Sequence, residues 1–263
     1  MKLIKKLKGN SGCNVSLIQD KERGLIVRKS ASSVDYNPRL KLQFFKQSSF
    51  QHKLVSTPKV FGLKGDSNNL LYFDMEYIRG ESFHNFISTH APFQSLKILK
   101  NLLSIHTLEG TLGNNEAINK KIDALRPYKK YSRLLDYCAD FKWSDLPTSN
   151  CHGDLSLENI IIKNNTPYLI DFLDSFVESR FIDLSKLFVD LMFGWSWRRK
   201  NNFPFIKNII ILQELQKDLT EQEKEIYKRL TCLQLLRILP YSNDNSTKDF
   251  LNKSLSHILQ HHL

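Results

Sequence analysis

A chain of 263 residues can bury a sizeable core as one large domain or two lobes, and 41% hydrophobic with 25% charged residues is the balance of a folded chain rather than a disordered one. The first thirty residues hold only short apolar runs broken by polar residues, which fits neither a signal peptide nor a membrane helix, so a cytoplasmic protein without membrane insertion is expected. The net charge of +11 points to an anionic ligand, and the excess is concentrated: residues 1–78 carry 14 Lys and Arg against 6 Asp and Glu, residues 79–263 carry 24 against 21.

Residues 15–20 ("VSLIQD") and 25–30 ("LIVRKS") predict two strands joined by "KERG", where Gly24 can take a positive φ. Just before them, "KGNSGCNVSLI" places Gly9 and Gly12 where backbone amides can approach a phosphate, although an ordinary turn reads the same way. A helix is expected near 38–50, opened by Pro38, with Leu40, Phe44 and Phe45 on one face. "KVFGLKG" and "LLYFDMEYI" then predict two more strands. Beyond "RGES" the pattern turns helical: an amphipathic helix over 94–110, further helical stretches near 116–138, 182–193 and 204–262, and two short strands, "NIIIK" and "PYLID". This organisation predicts a strand-rich part, 1–78, and a mainly helical part, 79–263.

The polar run "CHGDLSLENI" (151–160) lies between these helical stretches. Two carboxylates and a carboxamide are what a magnesium-dependent phosphoryl transfer requires: one carboxylate to orient the attacking hydroxyl, and hard oxygens to hold the metal on the phosphates. Asp154, Asn159 and Asp171 supply that set, and a hairpin of "NIIIK" and "PYLID" can return Asp171 to the turn. A plain turn rich in Asx hydrogen bonds followed by a polar strand end is the bland alternative. Cys151 and His152 do not make a nucleophile–base pair, because neighbours in an extended segment point to opposite faces. The four cysteines lack metal-ligand spacing and are expected to be reduced thiols.

"HGDLSLEN" followed by "YLIDFLDS" resembles the catalytic loop, His-Gly-Asp-x-x-x-x-Asn, and the metal-binding Asp segment of the aminoglycoside phosphotransferase and choline kinase group. That resemblance implies an α+β, protein-kinase-like fold of two lobes: a small strand-rich lobe, 1–78, binding nucleotide, and a larger mainly helical lobe, 79–263, for catalysis and acceptor binding. It implies an ATP-dependent kinase, GTP not being excluded as donor, with Mg2+. Asp154 would be the catalytic base or hydroxyl-positioning residue, and Asn159 and Asp171 the metal ligands. His152 would brace the loop, as would Asp183 in "FIDLSKLF", whose alternative is a helix cap; His106 would be a packed structural residue. Ser11, Gly12, Cys13 and Asn14 would line the phosphates. Lys29, preferred over Arg28 because it leaves Val27 on the same side as an adenine contact, would neutralise them. Met75 would border the adenine pocket, and Glu76, Tyr77 and Ile78 would form the backbone hinge. One departure stands out: residues 30–73 contain no glutamate to hold the lysine, only Asp35 and Asp66 as acids, leaving Gln43 or Gln47 as substitutes.

The expected acceptor is a small-molecule hydroxyl. The segment "IDFLDSFVES…DLSKLFVDL" also resembles a bacterial phosphotransferase subgroup associated with surface-polysaccharide assembly. With no acidic cluster to receive a cation, this favours a neutral or acidic acceptor, a sugar or sugar derivative, over an aminoglycoside or a choline or ethanolamine type substrate. "FGWSWRRK" (193–200) can stack on a sugar or simply pack. A catalytically silent nucleotide-binding relative is the alternative of another class. Nucleic acid is disfavoured, since the basic first third shows no nucleic-acid-binding motif. No oligomeric state is implied.

Overall fold

A computed structural model describes residues 1–7, 13–200 and 202–261. In chain order the elements are β1 (Lys2–Leu7), β2 (Cys13–Asp20), β3 (Gly24–Ala31), α1 (Asn37–Ser48), β4 (Val60–Gly65), β5 (Leu71–Glu76), β6 (Glu81–Ser82), α2 (Phe83–Thr89), α3 (Pro92–Leu103) and β7 (Leu108–Thr111). They continue through α4 (Glu116–Asp123), α5 (Ser132–Ala139), β8 (Pro147–Ser149), β9 (Ile160–Lys163), β10 (Thr166–Leu169), α6 (Arg180–Phe193), α7 (Phe205–Gln216), α8 (Glu221–Leu236) and α9 (Asn245–His261). The chain divides into two compact units, Met1–Glu81 with Asn159–Asp174, and Ser82–Glu158 with Ser175–Leu263. The segment 159–174, expected in the second part, packs with the first.

In the first unit the sheet runs β1-β2-β3-β5-β4. β1 escaped the sequence reading because it alternates nothing that burial demands: residues 2–6 are exposed, and its lysines mark a charged edge strand. The β2–β3 turn follows the expectation. Asp20 Oδ1 accepts from the Glu22 and Arg23 amides at 3.0 Å each, and Gly24 sits at φ 75°. α1 carries Pro38 in its first turn and lays Leu40, Gln43, Phe44 and Gln47 on the sheet, with Leu40, Gln43 and Gln47 fully buried. Phe45 is not on that face but half exposed at 50%, since the inner stripe follows the 40, 43, 44, 47 spacing and residue 45 lies about 100° beyond 44. Two of the four inner positions are thus carboxamides.

β9 and β10 form a hairpin whose turn, Asn164 and Asn165, has φ 50° and 60°, the positive pair that a two-residue type I′ turn requires and asparagine tolerates. The hairpin is tied to the loop before β4: Ser56 N donates to Pro167 O (2.9 Å), Leu169 N to Ser56 O (2.8 Å) and Thr57 Oγ1 to Leu169 O (3.0 Å). Gly80 completes the seat. A Cβ there would overlap the Ile162 carbonyl oxygen and lie 2.6 Å from Ile161 Cγ2, so only glycine lets the chain pass so close to β9.

The second unit is mainly helical. The helix expected over 94–110 ends at Leu103, and residues 108–111 pair instead as β7 with β8. The stretch 116–138 breaks into α4 and α5 around Pro127, whose missing N–H cannot continue a helix. α6, capped by Ser179, buries Phe181, Leu184, Leu187, Phe188 and Leu191 and packs on α8, which buries Leu230, Leu233 and Leu236. Each such side chain contributes about 1.5–3 kcal/mol on burial. Among the described residues no helix is long and apolar enough to cross a membrane.

Candidate active site

In the first unit, strand register decides which cation faces inward. Lys29 lies opposite Phe73 and Val27 opposite Met75, so Val27, Lys29, Ala31, Phe73 and Met75 share the face that α1 covers. Lys29 is buried (4% exposed), and its ammonium pairs with Asp171 Oδ1. Arg28, on the other face, is consumed locally: its Nε and Nη2 grip Asp74 at 2.7 and 2.8 Å, and its guanidinium lies 4.2 Å from the Tyr72 ring centroid. Asp171 follows β10 with φ 62°, a left-handed conformation uncommon for aspartate that turns the chain sharply after the hairpin. Ile170 N donates to Asn159 O at 3.0 Å, which brings Asn159, just before β9, to the end of the hairpin where Asp171 stands.

The two carboxamides proposed to replace the absent glutamate have other partners. Gln43 Nε2 donates to the Tyr36 hydroxyl (3.1 Å), while its buried Oε1 has no hydrogen-bond partner among the described residues. Gln47 Nε2 donates to Pro58 O (3.1 Å). Asp171 is the acid that Lys29 meets. Cys13 turns its side chain into the core beside Met75, Phe73 and Leu40, where burial pushes the thiol pKa up, whereas Asn14 is exposed. Ser11 and Gly12 lie outside the described residues. β5 ends at Glu76, whose N–H donates to Lys59 O (2.9 Å); Tyr77 and Ile78 leave the ladder, Ile78 buried.

In the second unit the loop carrying Asp154 hangs on α6. Asp183, fully buried, accepts from the backbone amides of His152 (2.7 Å) and Gly153 (2.9 Å) and from His106 Nε2 (2.9 Å). His106 Nδ1 faces Leu103 O at 3.0 Å, so the imidazole is packed and fully engaged. Burial alone would raise the Asp183 pKa, yet the His106 hydrogen bond and charge and the His152 contacts hold it below the ordinary value. Asp183 is therefore the loop's anchor, and Ser179 is the helix cap. His152 Nδ1 faces the Asp154 amide at 3.3 Å. Lys186, one turn along α6 from Asp183, reaches Asp154 Oδ1 at 2.9 Å, a contact the sequence reading missed.

A second buried carboxylate, also missed, holds the other end of the loop. Asp190 accepts from the amides of Leu157 and Ser196, both at 2.7 Å. Burial drives its pKa up, the hydrogen bonds from Ser196 and Leu157 restrain the rise, and the value is pushed up to about 7. With the folded pKa above the ordinary 3.8, the native state keeps a proton that the unfolded chain has lost. Its contribution to stability is fully present below pH 3.8 and is lost as pH rises through about 7. Urea unfolding is expected to show the wild type's advantage over Asp190→Asn shrinking between pH 5 and pH 8; an advantage independent of pH would contradict this.

The aromatic and basic run after α6 packs rather than opening a site. Trp197 is buried with Nε1 on Ser88 Oγ (3.2 Å), and Arg198 stacks 3.7 Å from the Trp195 centroid and meets Glu158 at 3.1 Å. Arg199 pairs with Asp244, and Lys200 lies 3.1 Å from His84 Nε2. Asp174 pairs with Arg39 at an exposed position. All four cysteines are buried thiols, and none is in a disulfide.

A family model described as "Phosphotransferase enzyme family" matches residues 4–220. No curated protein matches the sequence significantly. Among solved structures, the chain is similar to a thermostable mutant of aminoglycoside phosphotransferase APH(4)-Ia in ternary complex with ADP and hygromycin B. That match has TM-score 0.67 and 13% identity, covering 98% of this chain and 93% of that one. A GDP and kanamycin complex of the APH(2") type gives TM-score 0.59 and 11% identity over 97% and 91%. The aminoglycoside phosphotransferase APH(3'')-Id from Streptomyces rimosus gives 0.56 and 16% over 87% and 92%. At these identities the shared property is the protein-kinase-like fold.

Proposed function

The chain belongs to the phosphotransferase enzyme family, and from that premise we propose that it transfers the γ-phosphoryl group of ATP, with Mg2+, to a hydroxyl of a neutral or acidic small molecule. A sugar or sugar derivative of surface-polysaccharide metabolism is the acceptor class the reading favours. The observation that carries it is the buried Lys29 ammonium paired with Asp171 in the first unit. A buried cation on a strand, held by one acid at the end of a hairpin, is an arrangement for engaging phosphate rather than for stability alone.

The donor set fits magnesium. Among the described residues no group of three or more His, Cys, Asp or Glu gathers to cage a metal. Asp171 with Asn159 offers one carboxylate and one carboxamide, the sparse oxygen set suited to an ion that keeps its remaining positions for water and nucleotide phosphates. When bound, Mg2+ would neutralise the phosphate oxygens as charge develops. Lys29 would add a fixed positive charge beside those phosphates. Met75, Glu76, Tyr77 and Ile78 would receive the base, with Cys13 and Asn14 at the start of β2 near the phosphates. Asp154 would align the acceptor hydroxyl, its loop fixed by the hydrogen bonds from His152 and Gly153 to Asp183.

The acceptor preference rests on charge. Residues 79–263 carry 24 basic against 21 acidic residues, a poor setting for a polycationic aminoglycoside. GTP is retained as a second donor. Mass-spectrometric screening of hydroxyl acceptors with ATP and with GTP tests the proposal. The expected result is a product heavier by one phosphoryl group, formed about 100-fold more slowly by Asp154→Asn. Nucleotide binding without turnover across sugars, sugar acids, aminoglycosides and amino alcohols would support the silent relative instead.

A further inference from the structure

The loop from Asp154 to Asn159 reads Asp-Leu-Ser-Leu-Glu-Asn and contains no basic residue. The structure nevertheless places a cation on the catalytic carboxylate, from another element. Lys186 Nζ lies 2.9 Å from Asp154 Oδ1, the two side chains being 22% and 24% exposed. α6 thus does two things for one loop: Asp183 takes the backbone amides of residues 152 and 153, and Lys186, one turn later, takes the side chain of residue 154. The remaining charges around the loop are matched separately. Glu158 meets Arg198, Asp190 holds the Leu157 and Ser196 amides, Asp183 holds His106, and His152 Nδ1 faces the Asp154 amide. Lys186 is a cation that reaches the Asp154 carboxylate directly.

We propose that Lys186 is a positioning residue for the transfer reaction: its ammonium, 2.9 Å from Asp154 Oδ1, fixes the Asp154 carboxylate in one orientation and favours its charged form. This rests on the phosphotransferase reading above. An ammonium at hydrogen-bonding distance stabilises the charged form of a carboxylate and so lowers its appetite for a proton. Asp154 then acts by accepting a hydrogen bond from the acceptor hydroxyl and aiming its oxygen, not by removing the proton beforehand. A loose phosphoryl-transfer transition state asks no more than this, because little proton transfer is needed before the oxygen–phosphorus bond forms. As that bond forms, the bond from γ-phosphorus to the nucleotide's bridging oxygen breaks, its electron pair stays on the departing diphosphate, and the hydroxyl proton passes to Asp154 and on to solvent.

The test has two arms, one independent of turnover. The Asp154 carboxyl is titrated by carbon-13 NMR, its resonance identified by its loss in Asp154→Asn, in the wild type, Lys186→Met and Lys186→Arg. Removing the ammonium is expected to raise the Asp154 pKa, with Lys186→Arg close to wild type. In steady-state kinetics with a responsive acceptor, Lys186→Met is expected to lower kcat about tenfold and to move the acid limb of the pH profile upward, with nucleotide KM unchanged. Lys186→Arg should restore both, and matching thermal melts separate these effects from misfolding. An Asp154 titration in Lys186→Met identical to wild type overturns the inference whatever the activity. Activity in Asp154→Asn equal to wild type would instead overturn the functional reading, leaving the titration to decide the role of Lys186.

Discussion

Asp171→Asn is expected to yield a folded protein whose phosphoryl transfer falls roughly 10,000-fold, because the charge that would anchor the metal on the phosphates is worth several kcal/mol. Asparagine suits this position in two ways: it tolerates the φ of 62° that Asp171 adopts, and its carboxamide oxygen can still accept from the Lys29 ammonium. Asp171→Ala is the harsher change. It strains a methyl-bearing residue in the left-handed region and leaves Lys29, only 4% exposed, without its acid. Since the Asp171 side chain is 32% exposed, solvent screens part of that loss, and about 1–2 kcal/mol of destabilisation is expected. Chemical denaturation and transfer assays on the two variants separate the roles: both should lose activity, and Ala, which loses the hydrogen bond as well as the charge, should lose more stability than Asn. An Asp171→Asn protein with near wild-type turnover would remove Asp171 from the site.

Asp183→Ala is expected to destabilise the second unit by about 3–5 kcal/mol, because it leaves three buried donors, the amides of His152 and Gly153 and His106 Nε2, without their acceptor. Asp183→Asn keeps the shape but has one acceptor oxygen instead of two, and a loss of about 2 kcal/mol follows. The pH dependence has a defined sign. The folded pKa is held below the ordinary 3.8, so the contribution is present above pH 3.8 and is lost as pH falls through the folded value. Acid titration of stability should therefore show the wild type converging on the Asn variant as pH falls below 3.8 and through the folded value. Turnover should fall in both variants, since the amides released are those that set the backbone immediately before Asp154. Equal stability of wild type and Asp183→Ala at pH 7 would refute the anchor.

What could be read from the sequence and what could not follow from how far apart the cooperating residues are. Asn159 and Asp171 could be linked from the sequence because only a hairpin separates them, and the structure joins the two ends of that hairpin through Ile170 N and Asn159 O. The alternation of a strand says that Arg28 and Lys29 face opposite sides, but only the pairing of β3 with β5, Lys29 against Phe73, tells which side is inward. Asp183 could be suspected from its position shortly after Asp171. Lys186 and Asp190 could not, since a lysine and an aspartate on an apolar helix give no sign that each turns back to the same distant loop. The helix expected over 94–110 was over-extended because apolar spacing continues past Leu103, where His106 leaves the helix to meet Asp183. On α1 the error was one of phase: counting aromatics put Phe45 inside, whereas the buried stripe is completed by Gln43 and Gln47.

The membership of residues 159–174 in the first unit has a consequence for how that unit comes into being. Lys29 and its acid are 142 positions apart, and β9, β10 and Asp171 are contributed after the chain has already run through much of the second unit. A fragment ending at residue 81 would hold the five-stranded sheet and α1 but a buried ammonium with no counter-ion, and the Ser56 and Thr57 hydrogen bonds to the hairpin would be unmade. During synthesis the same condition lasts until residue 174 has left the ribosome, so closure of the first unit is a late, long-range event. Each unit is thus drawn from two separate stretches of the chain, and no single cut releases either one intact.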